Sequence, residues 1–408
     1  MLTPEYLRNA PQSLVQLFQQ LEDFIIADIA RRIVQSEGQV VTSTAEWQAW
    51  VAENIGLSID AIQAKIAEIT GKSEVEINAL FDDAARRALE YDNKIIGEAG
   101  GGPNTIDNNP AMAKLVESMK ARTNGELRNL TQSMGFAVKV GGQIVFKPIA
   151  QFYQDILDFA HIQVRTGATD YISAIRQAVR TLTNSGLRTV DYATGWSNRI
   201  DVAVRRAVLS GIKDESRQLS KSLADDLGAT IFEISAHSGA RPTHKEWQGK
   251  RFDTTGKYYP TEDELTHGEL NDYGCRHDVY PVPSKDFPYA YTKEELENID
   301  PPPFVFEGKE YTHYEATQQQ RKIERAVRKS KETLIGIQAA MEEAQGSLKE
   351  SLQKDFENWS IKLQRQNQLY VKFSAAAGLK EQNERRYFQG FGRSISAKAR
   401  AAAKNISR

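Results

Sequence analysis

Apolar residues recur along most of this chain at three- and four-residue intervals, the spacing that lines one face of an α-helix. Between residues 12 and 35, Leu14, Leu17, Phe18, Leu21, Ile25, Ile29 and Ile33 predict a helix, with Gly38 as its stop. Ser43 and Glu46 form a capping-box pattern ahead of Trp47, Trp50 and Val51. Ser73 and Glu76 repeat that pattern ahead of Ile77, Leu80, Phe81, Ala84, Ala88, Tyr91 and Ile95. Such stripes predict core, and residues 1–97 read as a helical, acidic-leaning N-terminal domain.

The period then breaks. Gly97 to Pro110 is too rich in Gly, Asn and Pro to hold a helix. Residues 98–148 read as a linker, two short helices and a β-hairpin, in which 136–140 and 143–146 flank a Gly141-Gly142 turn. An isolated hairpin is marginal in water, so it must lie on helices or pair with another chain. Helical spacing returns over 149–228. Thr169 is the expected cap for Tyr171, Ile175, Ala178, Val179 and Leu182, and Gly186 the expected end. Ile200, Val204, Val208 and Ile212 then share one side of a helix, while Arg199, Arg205 and Arg206 lie elsewhere, on a face expected to be solvated with Asp201–Arg205 pairing.

Residues 229–310 look different. A β-type run, Ala229 to Ala236, leads into a stretch with few helix formers, many turn residues and frequent aromatics, ending near the rigid Asp300-Pro301-Pro302-Pro303 segment. This predicts a compact, loop-rich α+β module, followed by a short hairpin around Gly308. Residues 311–384 hold a strict four-three spacing through Ile323, Val327, Ser330, Leu334, Ile337, Met341, Ala344 and Leu348. It resumes after a one-step slip with Leu352, Phe356, Trp359, Leu363, Tyr370 and Phe373. Gly346-Ser347 sits at the slip, so the segment is either one long helix or a helical hairpin. Residues 385–408, with Gly390, Gly392, Ser394 and Ser396, read as a mobile basic tail. The predicted fold class is mainly α: a multi-helix body, the loop-rich α+β central module, and the long C-terminal helix or hairpin.

Composition adds charge asymmetry. The formal net charge of -2 hides 19 Lys and Arg against 10 Asp and Glu from Tyr311 to Arg408, leaving 33 against 44 in the rest of the chain. Six basic residues fall between Arg321 and Lys331, and seven with no acidic residue between Arg385 and Arg408. The C-terminal part is therefore expected to meet an anionic partner, or the acidic body of another copy. A single cysteine excludes an intramolecular disulfide framework. No run of about eighteen apolar residues exists, so no membrane span is expected. The first residues lack a signal-peptide pattern, which predicts a protein made and kept in a cytoplasm.

The candidate chemistry is concentrated in one stretch. Phe232 to Pro283 holds His237, His244, His267 and His277, four of the six histidines, together with Cys275. His237, His244, Cys275 and His277 offer a nitrogen and sulfur ligand set for zinc, with His267 as a spare, although the spacing is unlike common zinc fingers. A second reading is catalytic: Cys275 as nucleophile with a histidine base, or a metal-dependent nuclease or hydrolase using His237, His244 and His277 with Glu246 or Asp278 on the metal. The third, preferred on the residues alone, is a structural polar network in which His237, Arg241, His244 and His277 satisfy loop carbonyls and carboxylates around Trp247 and Tyr280. In the tail, Arg385, Arg386, Arg393, Lys398, Arg400, Lys404 and Arg408 are candidate contacts to DNA phosphates, without any motif for sequence-specific readout.

Several motifs occur together and in order. They are Glu233 to His244 (EISAHSGARPTH), Trp247-Gln-Gly-Lys250, Tyr273-Gly-Cys-Arg-His277 and Tyr280-Pro281. Asp201 to Val208 lies upstream, with Tyr311 to Arg321 and Ile323 to Arg328 downstream. In this series the chain resembles the phage minor capsid protein 2 group over roughly residues 150–385. It is similar, more distantly, to the Mu F-like minor head proteins, which carry a late Cys-Arg-Cys or Cys-Arg-His element. The first 150 residues match only in being helical. The resemblance implies a virion structural protein that joins the head at the portal vertex and helps package, retain or deliver DNA. Portal and major capsid proteins would be its partners, and host cytoplasm its place of assembly. It implies no enzymatic activity and carries over no metal, although a zinc ligand pair can survive the exchange of two cysteines for Cys275 and His277.

Overall fold

A computed structural model describes the chain except for residues 37, 38, 40–43, 99–101, 104, 141, 142, 192, 193, 271, 273, 389, 407 and 408. Gly38, Ser43, the Gly141-Gly142 turn, Tyr273 and Arg408 thus lie outside the described residues, as does part of the Gly97 to Pro110 loop. The elements run α1 (Pro4–Asn9), α2 (Gln12–Gln35), α3 (Thr44–Glu98), α4 (Pro110–Gln132), β1 (Met134–Val140), β2 (Gln143–Pro148), α5 (Ile149–Arg165) and α6 (Tyr171–Ser185). They continue with β3 (Arg188–Val190), β4 (Ser197–Arg199), α7 (Ile200–Leu227), β5 (Ile231–Ile234), β6 (Arg251–Asp253), α8 (Glu262–Thr266), β7 (Val279–Val282) and α9 (Lys293–Glu297). The last are β8 (Phe304–Phe306), β9 (Lys309–Tyr311), α10 (His313–Glu343), α11 (Gly346–Ala376), α12 (Asn383–Arg386) and α13 (Arg393–Ile406). The chain is mainly helical with small sheets, as its apolar spacing predicts.

Four local expectations change. Ser73 starts no helix: it is buried inside α3, which runs unbroken for 55 residues. The two short helices expected after the Gly-rich loop are one, α4, opened by Pro110 in the first turn and by Asn109, whose Oδ1 accepts from the amides of Ala111 and Met112. Asp170, not Thr169, caps α6 by accepting from Ser173 N at 2.9 Å, and Gly186 ends it at φ +66°. Within the stretch expected to be helical throughout, β3 and β4 are strands of three residues each, too short for a two-residue period to register.

By its contacts the chain forms two compact units, each drawn from three separate stretches. The first comprises Met1–Leu14, Ser73–Leu127 and Val204–Gln319. Its sheet has β5 at the centre, antiparallel to β6 and β7, with Phe232 opposite Phe252 on one side and Pro281 on the other. All four residues of β5 are buried, as its apolar run predicts. Ala224, Phe232, Ile234, Trp247, Phe252, Leu270, Cys275 and Val279 form one core cluster. A second brings Ala85, Leu89, Met112 and Val116 against Leu219 and Leu223 of α7. Inside the sheet, Glu233 takes Arg251 Nε at 2.8 Å, Tyr280 OH at 2.6 Å and Ala290 N at 2.8 Å, so its charge is paired where water is excluded. The Gly308 hairpin forms as expected, with β8 and β9 joined through Glu307 at φ +49° and Gly308 at φ +78°. Arg205, expected on a solvated face, donates to Arg8 O and Gln12 Oε1.

The second unit comprises Val15–Lys72, Arg128–Ala203 and Gln320–Arg408. The expected hairpin of β1 and β2 is completed by β3 and β4 into an antiparallel sheet ordered β2-β1-β3-β4. Phe136 of β1 stacks on Phe152 of α5 at 4.4 Å, so the hairpin rests on a helix through β1, while Ile144 and Val145 of β2 are exposed. The choice between one long helix and a hairpin resolves to a hairpin. Gln320 meets Ser374 at 3.0 Å, Tyr370 meets Glu324 at 3.1 Å, and Ser330 meets Gln366 at 2.7 Å, which is antiparallel pairing of α10 and α11. The reversal falls before Gly346, at φ +51°. The stretch read as a mobile tail carries α12 and α13. α13 packs on α11 with Ala399 and Ala403 buried, and Gly390 N donates to Asp23 Oδ2 at 3.0 Å. Arg199 reaches both Glu22, at 2.9 Å, and Glu332, while Arg328 reaches Asp201. Burial pushes the Glu22 carboxyl up to about 7 despite the opposing Arg199.

Candidate functional site

The histidine-rich stretch folds around β5 and β7. After β5 the chain turns at Gly239 (φ +72°) and enters a single 3-10 turn, Pro242–His244, with proline in its first turn. That turn aims His244 inward, 1% exposed. Gly249, at φ +71°, then lets the chain pass Leu296: an added Cβ would lie 2.8 Å from its Cδ2. On the other arm, Gly274 at φ +78° and the Cys275 N to Asp272 O bond set the extended segment that carries Cys275 and His277 into β7.

His244, Cys275 and His277 are thereby brought together, all three buried, with one donor atom of each within 4.8 Å of the others. Cys275 Sγ lies 3.5 Å from His277 Nδ1. Gln248 Oε1 accepts from His237 N at 3.2 Å, which fixes the amide's orientation; it lies 3.2 Å from His277 Nε2 as well. An amide oxygen can only accept, so His277 carries its proton on Nε2 and turns the Nδ1 lone pair to the thiol. His244 Nε2 makes no hydrogen bond among the described residues and faces Glu269 Oε2, itself unbonded, at 3.5 Å. The rings pack closely: His237 stacks on His277 at 4.5 Å, His244 lies 4.5 Å from Trp247, and Trp247 meets His277 edge-on at 4.7 Å. Burial pushes His237 and His244 down to about 4 and His277 lower still. All three rings are neutral at pH 7, each with one nitrogen lone pair, that of His277 facing the Cys275 thiol.

The other sequence candidates divide. His237 stands outside the converging donor set: its Nδ1 meets Ser238 O at 2.9 Å and its ring serves as a stacking surface. His267 is exposed and left-handed, at φ +52°, at the end of α8. Asp278 is engaged structurally, accepting from Leu2 N at 2.6 Å, Ser216 Oγ at 2.8 Å and Val279 N at 3.0 Å. Glu246 is exposed, and Cys275 is 5% exposed. Of the seven candidate DNA contacts, Arg385 and Arg386 turn into the fold, Arg385 toward Glu324 at 3.8 Å and Arg386 to Glu381 at 2.9 Å over the Tyr370 ring. Arg393, Lys398, Arg400 and Lys404 are exposed along α13, and Arg408 lies outside the described residues. Glu269 was not singled out from sequence, and Gln248 entered only as part of the Trp247-Gln-Gly-Lys250 motif, without a site role. A Glu between loop glycines carries no signal until the two arms close.

The family model described as Phage minor capsid protein 2 matches residues 2–373. The match takes in the N-terminal third, where sequence motifs had shown only helical character. No curated protein and no solved structure matches the chain. A match over nearly the full length leaves one conclusion: the chain belongs to the phage minor capsid protein 2 family and is a structural component of a phage head.

Proposed function

We propose that this minor capsid protein joins the head at the portal vertex, at the inner capsid face, in few copies, and assists genome packaging, retention or ejection. The portal protein, the major capsid protein and packaged double-stranded DNA are its partners, and it assembles in the host cytoplasm. The similarity to Mu F-like minor head proteins belongs to this proposal, since it rests on the Cys275-Arg276-His277 element.

The observation that carries the DNA-facing position is the outer face of α13. Ala399 and Ala403 are buried, while Arg393, Lys398, Arg400 and Lys404 are exposed, Lys398 Nζ also reaching Gln338 Oε1 at 3.3 Å, with no acidic residue in the helix. Such a face neutralises phosphates without reading bases. Four phosphate contacts would give a slope of about -3.6 in log affinity against log salt. Replacing the four residues by glutamine should flatten that slope by about 3.6 and leave the fold intact, because the side chains are exposed. An unchanged slope would remove DNA from the account. A tagged copy recovered from infected cells should bring the portal protein with it, and recovery without portal or major capsid protein would reject the vertex position.

A further inference from the structure

We propose that His244, Cys275 and His277, completed by Glu269, form a binding site for one transition-metal ion of the zinc class. The site is independent of where the protein sits in the particle.

Three features of the geometry point to a ligand. First, in a tetrahedral zinc site with Zn–N near 2.0 Å and Zn–S near 2.3 Å, the N···S edge is about 3.5 Å. The Cys275 Sγ to His277 Nδ1 separation is 3.5 Å, with the lone pair on the correct nitrogen. Second, His277 is oriented as ligating histidines are: its far ring nitrogen donates to Gln248 Oε1, which His237 N holds in place. Third, His244 Nε2 and Glu269 Oε2 are buried polar atoms without hydrogen-bond partners among the described residues, 3.5 Å apart, and His244 belongs to the converging donor set. Leaving such atoms unsatisfied costs free energy, and a shared cation satisfies both at once.

Charge selects Glu269 over His237 as the fourth ligand. On binding, the Cys275 thiol releases its proton to solvent and becomes a thiolate. One thiolate and one carboxylate neutralise a divalent ion, whereas three histidines and a thiolate would leave a net positive charge among Trp247, Phe252, Leu270 and Val279. Donor atoms of His244, Cys275 and His277 already lie within 4.8 Å of one another, and Glu269 Oε2 approaches the set through His244 Nε2 at 3.5 Å. Soft sulfur with imidazole nitrogen favours zinc, cobalt or nickel over magnesium and calcium. With His244, Cys275 and His277 buried and Glu269 partly exposed, the four donors would close the coordination sphere at the edge of the core, which makes the ion a clamp between the 3-10 turn and the segment entering β7.

The test uses the full-length protein and Co2+ as the probe. Titration should saturate at one Co2+ per chain, with visible bands of tetrahedral cobalt and a thiolate-to-cobalt charge-transfer band. Zn2+ should displace the cobalt. Cys275→Ser should abolish the charge-transfer band, Glu269→Gln should weaken binding at least tenfold, and His267→Gln should leave both unchanged. Failure of the wild-type protein to take up Co2+ with a charge-transfer band overturns the site, whatever the variants do. An equal band in Cys275→Ser, or its loss in His267→Gln, does the same.

Discussion

Glu215 of α7 is fully buried, and neither carboxylate oxygen has a hydrogen-bond partner among the described residues. Burial pushes its carboxyl up to about 9, against 4.5 for the free side chain. Between those two values the folded chain holds a proton that the unfolded chain has released, so stability falls as pH rises through that window. Glu215→Gln keeps the shape and removes the titration. At pH 8.5 we expect it to stabilise the protein by on the order of 2–4 kcal/mol, with the gain shrinking toward pH 5. Urea unfolding at the two pH values checks this, and an equal shift at both would contradict it. Arg251 shows the opposite case: it is paired with Glu233 at 0% and 1% side-chain exposure. Arg251→Met should cost about 3–5 kcal/mol by stranding the carboxylate, and adding Glu233→Gln should recover part of the loss. At this scale sequence supplied the residue types but not their partners. Cys275 and His277 were legible as candidate ligands, whereas the roles of Glu269 and Gln248 became visible only when the two arms closed.

Elements were legible wherever the period ran long enough to average over tertiary contacts. α2, α10, α11 and β5 follow their apolar stripes, and the Gly346 slip correctly marked where α10 and α11 part. Short or competing signals failed. Ser73-Glu76 has a capping pattern but lies inside α3, because burial of the continuous helix outweighs a cap worth about 1 kcal/mol. The basic tail has helical spacing, but only contact with α11 and Asp23 shows that it is docked. Gly336 illustrates the packing that sequence cannot show. It sits in α10, and an added Cβ would lie 2.5 Å from Thr183 Cγ2 of α6 and 3.2 Å from Ile26 Cγ2 of α2. Gly336→Ala should therefore cost about 1–3 kcal/mol despite alanine's better helix propensity. A thermal melt that rises instead would contradict the close approach.

For the whole molecule, sequence order and spatial order differ. Each compact unit draws on three stretches, a division that periodicity along a chain cannot reveal because it reports neighbours a few residues apart. Charge was legible at this scale: the excess of Lys and Arg after Tyr311 survives in the outward face of α13, although Arg385 and Arg386 are taken up inside the fold. The family match fixes a head protein, and the α13 surface motivates the position beside DNA. That position is tested most directly by asymmetric reconstruction of purified particles at the portal vertex. The account predicts a fixed, small number of copies there, recognised by the α10–α11 hairpin, whose two 31-residue helices are each about 46 Å long. Density for the chain at every vertex, or its absence from mature particles, would contradict it.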